Sequence, residues 1–212
     1  MARLLQCTFV PACAVLALNV THAETWAFEA LIGDAYNFHS STRIEHEATG
    51  RRHWDGNYET RGLEGPLHYA WRIARWRDDA AWELQLLHHK LYLQDPQPPI
   101  EALSVSHGFN IITINRAMRF GPWRARVGVG PVVTHAEARI AGTSYDGPYE
   151  LAGAAFLVGG GREVRLTEHL YALGEFSATY GHVEAQPKGT PRLELSISNP
   201  ALHAHIGLGY RF

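Results

Sequence analysis

Three stretches of this chain gather side chains able to bind a metal ion or move a proton. ELQLLHHKLYL carries His88, His89 and Lys90; SVSHGFNIITIN carries His107, Asn110 and Asn115; VVTHAEARI carries His135 and Glu137. Neutral imidazoles and a carboxylate suit first-row divalent ions, and they equally make a general acid and base working near neutral pH. His89, His107, His135 and Glu137 are therefore the candidate ligands or acid–base groups, with Lys90 and Asn110 beside them. A nucleophilic reading stands next to this one, because Ser106 adjoins His107 and His39 precedes Ser41 by two residues. Neighbours on a regular strand point to opposite faces, so Ser106 and His107 are not expected to meet, whereas His39 and Ser41 share a face. For each histidine, simple solvation at a surface remains open.

The elements that must position these groups are strands. At the C-terminus Leu202, Ala204, Ile206, Leu208, Tyr210 and Phe212 share one parity, and His203, His205, Gly207, Gly209 and Arg211 share the other. Further candidate strands fall at 25–36, 66–76, 81–93, 109–120, 123–134, 149–165 and 168–184, eight in all with the last. Several exceed ten residues, longer than the usual ~5–6 of soluble strands and suited to a tilted bilayer crossing of ~9–11. Connections alternate in length: 77–80, 121–122 and 166–167 are tight, whereas 37–65, 94–108, 135–148 and 185–200 are long. Short turns on one side and long loops on the other mark a transmembrane barrel, and strands crossing lipid must close because an open edge leaves backbone groups unsatisfied. The expected fold is all-β, an eight-stranded antiparallel transmembrane β-barrel. Alternation alone is equally compatible with a soluble sheet, for which the same aromatics would be core.

Residues 1–23 read as a cleaved signal peptide, with Arg3 ahead of an apolar stretch and Thr21-His22-Ala23 as a small-residue cleavage site. This leaves 24–212 as one barrel domain. Both cysteines, Cys7 and Cys13, fall in the leader, so neither thiol chemistry nor a disulfide framework is expected of the domain. Losing Arg3 leaves 18 basic against 21 acidic side chains, too balanced for a nucleic-acid partner. An eight-stranded barrel is just wide enough to be filled by its own side chains. Glu29, His68, Arg72, Glu83, Gln85, Asn115, Arg124, Arg126, Glu175, His203, His205 and Arg211 then make a paired polar interior, which argues against a porin. Trp26, Trp76, Trp82, Phe120, Trp123, Tyr171, Tyr210 and Phe212 are expected as an aromatic belt at the inner edge, and Tyr36, Tyr92 and Tyr180 at the outer edge.

The blocks GPLHYAWRIARW, LLHHKLY, SHGFNIITIN, GPVVTHAEA, YELAGAA and HIGLGYRF resemble the ordered blocks of small alpha-proteobacterial barrel proteins of the lipid A oxidase-like family, over about residues 54–212. The terminal Phe212, on the lipid-facing parity, resembles the signal read by the barrel-assembly machinery. The resemblance implies an outer-membrane location, lipid A or lipopolysaccharide as partner among the outer-membrane lipids, and oxidation of the proximal glucosamine to an aminogluconate unit with oxygen as oxidant. The matching residues are His89 with Lys90, His107 with Gly108 and Asn110, Asn115, and His135 with Glu137, while 36–53 match poorly. Such an oxidation needs an electron acceptor, which makes a divalent redox metal the economical cofactor. Two other expectations stay open: a non-enzymatic surface barrel that stabilises the envelope, and a lipid A deacylase-like hydrolase. A soluble periplasmic lipid-binding barrel is a further alternative.

Overall fold

The computed structural model describes residues 24–212, so the expected leader with Cys7 and Cys13 lies outside the described residues. Thirteen strands run through the described part. They are β1 (Glu24–Asn37), β2 (Ser40–His46), β3 (Gly50–Gly56), β4 (Tyr58–Glu59), β5 (Tyr69–Arg77), β6 (Ala80–Leu93), β7 (Ile100–Phe120), β8 (Trp123–Thr134), β9 (Glu137–Ile140), β10 (Thr143–Asp146), β11 (Glu150–Arg165), β12 (Leu170–Ala185) and β13 (Leu193–Arg211). Eight of them close a ring in the order β1, β5, β6, β7, β8, β11, β12, β13, each antiparallel to its neighbours. The ring shuts where β13 pairs with β1, from Ala27 opposite Arg211 to Asn37 opposite Ala201. The remaining five extend the outer rim: the β2–β3 hairpin hangs on β13, β4 bridges β1 and β6, and the β9–β10 hairpin pairs with β7.

Parity assigns the faces. In β1 Trp26, Phe28 and Ile32 point out while Ala27, Glu29 and Leu31 are buried. The same outward row continues round the wall as Trp71, Leu84, Ile114, Val129, Phe156, Phe176 and Ile206, an apolar belt with no protein layer over it. Such a belt matches the lipid-facing band of a transmembrane barrel, and soluble monomers rarely carry one contiguous apolar patch of that extent.

The interior changes character with height. Lowest lie Glu29, Arg72, Glu83, Arg124, Arg126 and Glu175, all buried, so three carboxylates face three guanidiniums. Arg72 donates to Glu29 at 2.5 Å and to Glu175 at 2.7 Å, Arg126 to Glu83 at 2.8 Å and to Glu175 at 2.6 Å, and Arg124 pairs with Glu29. Above them come four buried histidines, 68, 89, 203 and 205. Highest is an apolar core that includes Ile44, Leu91, Leu103, Phe109, Ile140 and Leu195.

Two expectations are corrected here. The spans 37–65, 94–108, 135–148 and 185–200 are not plain loops: β2, β3, β4, the start of β7, β9, β10 and the start of β13 lie in them. Beyond the bilayer the strands continue with apolar side chains inside and polar ones outside, the reverse of the membrane pattern, so a search for outward apolar residues stops too early. Trp76 and Tyr171 are not in the inner belt but buried within the barrel, at 2% and 1% exposure. Arg119 lies over the Trp76 ring at 4.1 Å and Arg211 over the Tyr171 ring at 4.4 Å, while the Tyr171 hydroxyl donates to Glu29 at 2.6 Å. Trp76 shares the parity of Arg72, which decides its side. Trp26, Trp82, Phe120, Trp123, Tyr210 and Phe212 are exposed at the belt as expected.

Candidate functional site on the outer rim

A bulge in β7 starts the site. Between the pairs His89–Phe109 and Leu91–Val105, Lys90 of β6 faces Ser106, His107 and Gly108, so β7 carries two extra residues. Gly108 takes φ 145°, a backbone shape that side chains rarely adopt. The detour breaks the alternation of β7: Ser106 Oγ lies 3.2 Å from His107 Nδ1, although consecutive strand residues would normally diverge.

The adjoining segments complete it. The His135 backbone N–H donates to the Gly108 carbonyl at 3.1 Å, which fixes the corner after β8 against the bulge. β9 then supplies Glu137. The hairpin to β10 turns on Ala141 and Gly142, both left-handed (φ 49° and 79°), which matches the strand twist of a two-residue connection. Its register sets Asp146 opposite Glu137.

The result is a compact set of ligand-type atoms. One ligand-type atom from each of His107, His135 and Glu137 lies within 4.8 Å of those of the other two. Glu137 Oε1 stands 3.8 Å from His107 Nδ1 and 3.6 Å from His135 Nε2, and Asp146 Oδ1 is 3.2 Å from His135 Nε2. Ser106 and Ser104 hydroxyls donate to Glu137 Oε2 at 3.1 and 3.3 Å, which orients the carboxylate. Tyr149 donates its hydroxyl to the His107 carbonyl at 3.0 Å and tilts its ring against His135 at 5.0 Å. His135 Nδ1 is buried without a hydrogen-bond partner, while the His107 side chain is about half exposed (54%). Two imidazoles and one carboxylate on one side, with the other side open, fit a divalent ion of the kind held by a facial triad of two histidines and a carboxylate. Tyr149 and Leu151, exposed on the outer wall where β11 begins, put the set just above the apolar belt.

The other expected residues go elsewhere. His89 points into the barrel, where its Nε2 meets Asn37 Oδ1 at 2.9 Å and Asn199 Oδ1 at 3.2 Å, so it does not converge with the rim trio. The reason is parity: His89 shares the inward face of Leu87 and Leu91. Lys90 lies on the outward face but is covered, its Nζ donating to the carbonyls of Arg61 at 2.6 Å and Glu64 at 2.9 Å. Asn110 Oδ1 is 2.7 Å from His88 Nδ1, and Asn115 belongs to the buried interior with its Nδ2 3.4 Å from Gln85 Oε1. Ser41 contacts His53 Nε2 at 2.8 Å, a partner other than His39. Asp146 and Tyr149 were not expected from the sequence. The signal for Asp146 is the Ala-Gly turn, which fixes its register against Glu137 once both strands are recognised.

Neither the protein-family models nor the curated proteins contain a match to this chain. Solved structures do resemble it. Outer membrane protein AlkL, determined by solid-state NMR in DMPC lipid bilayers, aligns over 100% of this chain and 97% of its own, with TM-score 0.53 and 12% identity. Outer membrane protease OmpT from Escherichia coli aligns over 91% and 98% at TM-score 0.45 and 11% identity, and Ail, the attachment invasion locus protein of Yersinia pestis, over 90% and 99% at 0.40 and 10%. At these identities the likeness to AlkL is one of fold. The chain has the fold of an outer-membrane β-barrel.

Proposed function

We propose that this barrel modifies lipid A at the outer leaflet, as an oxidase whose reacting centre is the set His107, His135 and Glu137. The observation that supports this reading is the two-histidine, one-carboxylate grouping on the outer wall, directly above a lipid-facing belt. A lipid A molecule beside the wall has its acyl chains along Leu151 and Val129 and its sugar at the height of the rim. At a proximal glucosamine whose C1 hydroxyl is free, removal of the C1 hydrogen and the hydroxyl proton together with two electrons gives a lactone, which adds water to become the aminogluconate. Dioxygen takes up the electrons and protons as hydrogen peroxide. A bound divalent redox ion would supply the electron transfer, held by His107, His135 and Glu137. Ser104 and Ser106 orient Glu137, and Asp146 is the carboxylate placed to take a proton near His135.

A hydrolytic reading has one observation of its own. Ser198 Oγ lies 2.8 Å from His182 Nδ1, and Glu184 Oε1 lies 3.9 Å from His182 Nε2, on the outward face of β12 and β13 above the belt. Mass spectra of lipid A separate the two: oxidation adds one oxygen, whereas deacylation removes an acyl mass. Spectra from cells with and without the protein that coincide would refute both and leave the envelope-stabilising barrel. An added oxygen that persists in a His107→Ala/His135→Ala variant would remove the rim set from the reaction.

A further inference from the structure

The barrel interior holds a second group of imidazoles that the rim chemistry does not use. His68 precedes β5, His89 lies on β6 and His203 on β13, and the three are 0–1% exposed. One ring nitrogen of each lies within 4.8 Å of one ring nitrogen of the other two. His68 Nε2 and His203 Nδ1 are 3.2 Å apart. Adjacent ligands on a tetrahedral ion with bonds of about 2.05 Å are about 3.3 Å apart, so this pair already has ligand spacing. The His89 ring stands nearly perpendicular to the other two, at 77° to His68 and 76° to His203, and so approaches the same point from a different direction.

The far nitrogens of His89 and His203 are held in a way that prepares the near ones. His89 Nε2 faces two side-chain carbonyls, those of Asn37 and Asn199, so it must carry the proton and leave Nδ1 with a free lone pair. That Nδ1 is buried and has no hydrogen-bond partner. His203 Nε2 is 2.8 Å from Thr179 Oγ1, an oxygen able to accept its proton, the arrangement that leaves the His203 Nδ1 lone pair free. His68 Nδ1 and both nitrogens of His205 are likewise buried without partners, and His205 stacks on His68 at 4.9 Å. Unpartnered buried nitrogens are costly, and outer hydrogen bonds from ligand imidazoles to carbonyl or hydroxyl oxygens are what metal sites employ.

We infer that His68, His89 and His203 bind one late first-row divalent cation inside the barrel, with His205 as the next available donor. Imidazole nitrogen suits zinc, copper, nickel and cobalt. The ion would tie β6 to β13 across β1 and β5. With the apolar core above and the ion pairs below, it enters as the barrel closes.

The test is refolding of the 24–212 chain into detergent with Zn2+ or Co2+, followed by gel filtration and metal analysis. Read in the His107→Ala/His135→Ala chain, whose rim set can no longer hold an ion, the expected result is one ion retained per chain with a tetrahedral cobalt spectrum, lost when His68→Asn/His203→Asn is added. Thr179→Val, which keeps all three ligands, should weaken retention about tenfold or more by freeing the His203 ring. No retained ion in the His107→Ala/His135→Ala chain overturns the inference, as does equal retention after His68→Asn/His203→Asn or Thr179→Val is added to it. Because the rim variant serves as the control, the outcome is independent of whether lipid A is oxidised.

Discussion

Replacing Arg72 with methionine tests how the lower interior is held together. The guanidinium of Arg72 makes four hydrogen bonds, to Glu29 at 2.5 Å, to the two oxygens of Glu175 at 2.7 and 3.2 Å, and to Gln85 at 3.0 Å. The methionine stem fills much of the same volume, so the change is chiefly one of charge. It leaves three buried carboxylates facing two guanidiniums. Glu29 keeps Arg124 and the Tyr171 hydroxyl, and Glu175 keeps Arg126, so neither is stripped bare. One uncompensated buried charge remains, which costs about 3–5 kcal/mol. Adding Glu175→Gln restores two carboxylates to two guanidiniums, with Glu29 on Arg124 and Glu83 on Arg126 at 2.8 Å. The double variant should therefore lose less than the sum of the two single losses, by about 0.5–3 kcal/mol, the range of coupling between contacting residues. Urea unfolding of the refolded barrel, followed by circular dichroism, reads both numbers. A loss below about 1 kcal/mol for Arg72→Met, or a double variant whose loss equals the sum of the singles, would refute the balanced-charge account.

Other outcomes follow from the same structure. Val129→Arg, at a position 62% exposed on the belt and opposite Ile114, should cost about 2–4 kcal/mol in bilayer refolding because a charge enters hydrocarbon; a neutral result would mean the belt does not face lipid. Gly181→Ala should destabilise by about 1–3 kcal/mol, since a new Cβ would sit 2.6 Å from the Phe109 ring, and the thermal midpoint reports it. Tyr58 lies in the outer rim, where burial raises its phenol well above the ordinary value of ~10, against a smaller opposing effect of its 2.9 Å hydrogen bond to Thr42. Its raised folded pKa makes its contribution to stability complete below about pH 10 and lost progressively above, so Tyr58→Phe should flatten the alkaline limb of the stability curve. His107→Ala/His135→Ala should abolish oxygen consumption with lipid A while the chain still refolds to the same circular dichroism spectrum, since both rings lie outside the paired barrel interior.

Much of the barrel was legible because period two is unambiguous where one face meets lipid. Glu29, Arg72, Glu83, Arg124, Arg126 and Glu175 could be placed inside by parity alone, and the structure buries all six. The segment from Glu83 to Leu93 shows where that reading fails. Leu84 and Leu86 face out, and so do His88 and Lys90; Glu83 and Gln85 face in, and so do Leu87, His89, Leu91 and Leu93. The alternation is continuous, but the environments on its two sides exchange at the edge of the bilayer, so an intact strand looks like a broken one. His89 consequently reads from the sequence as a companion of His107 and His135, whereas it lies inside the barrel. The rim set was legible only as separate stretches, because the bulge at Gly108 and the left-handed turn at Ala141-Gly142 are backbone features that decide which side chains meet. The interior trio is spread over more than a hundred residues, and only ring closure between β13 and β1 brings His203 to the side of the barrel that carries His68.

The layering of the interior has an electrical consequence. A neutral lattice of three acids and three bases seals the lower end and an oily stack closes the upper one, so an ion moving along the axis would have to break salt bridges and then cross a stretch that cannot solvate it. In a planar bilayer under applied voltage the molecule should be silent, and whatever traffic it has with its surroundings runs sideways, between its wall and the lipids that touch it.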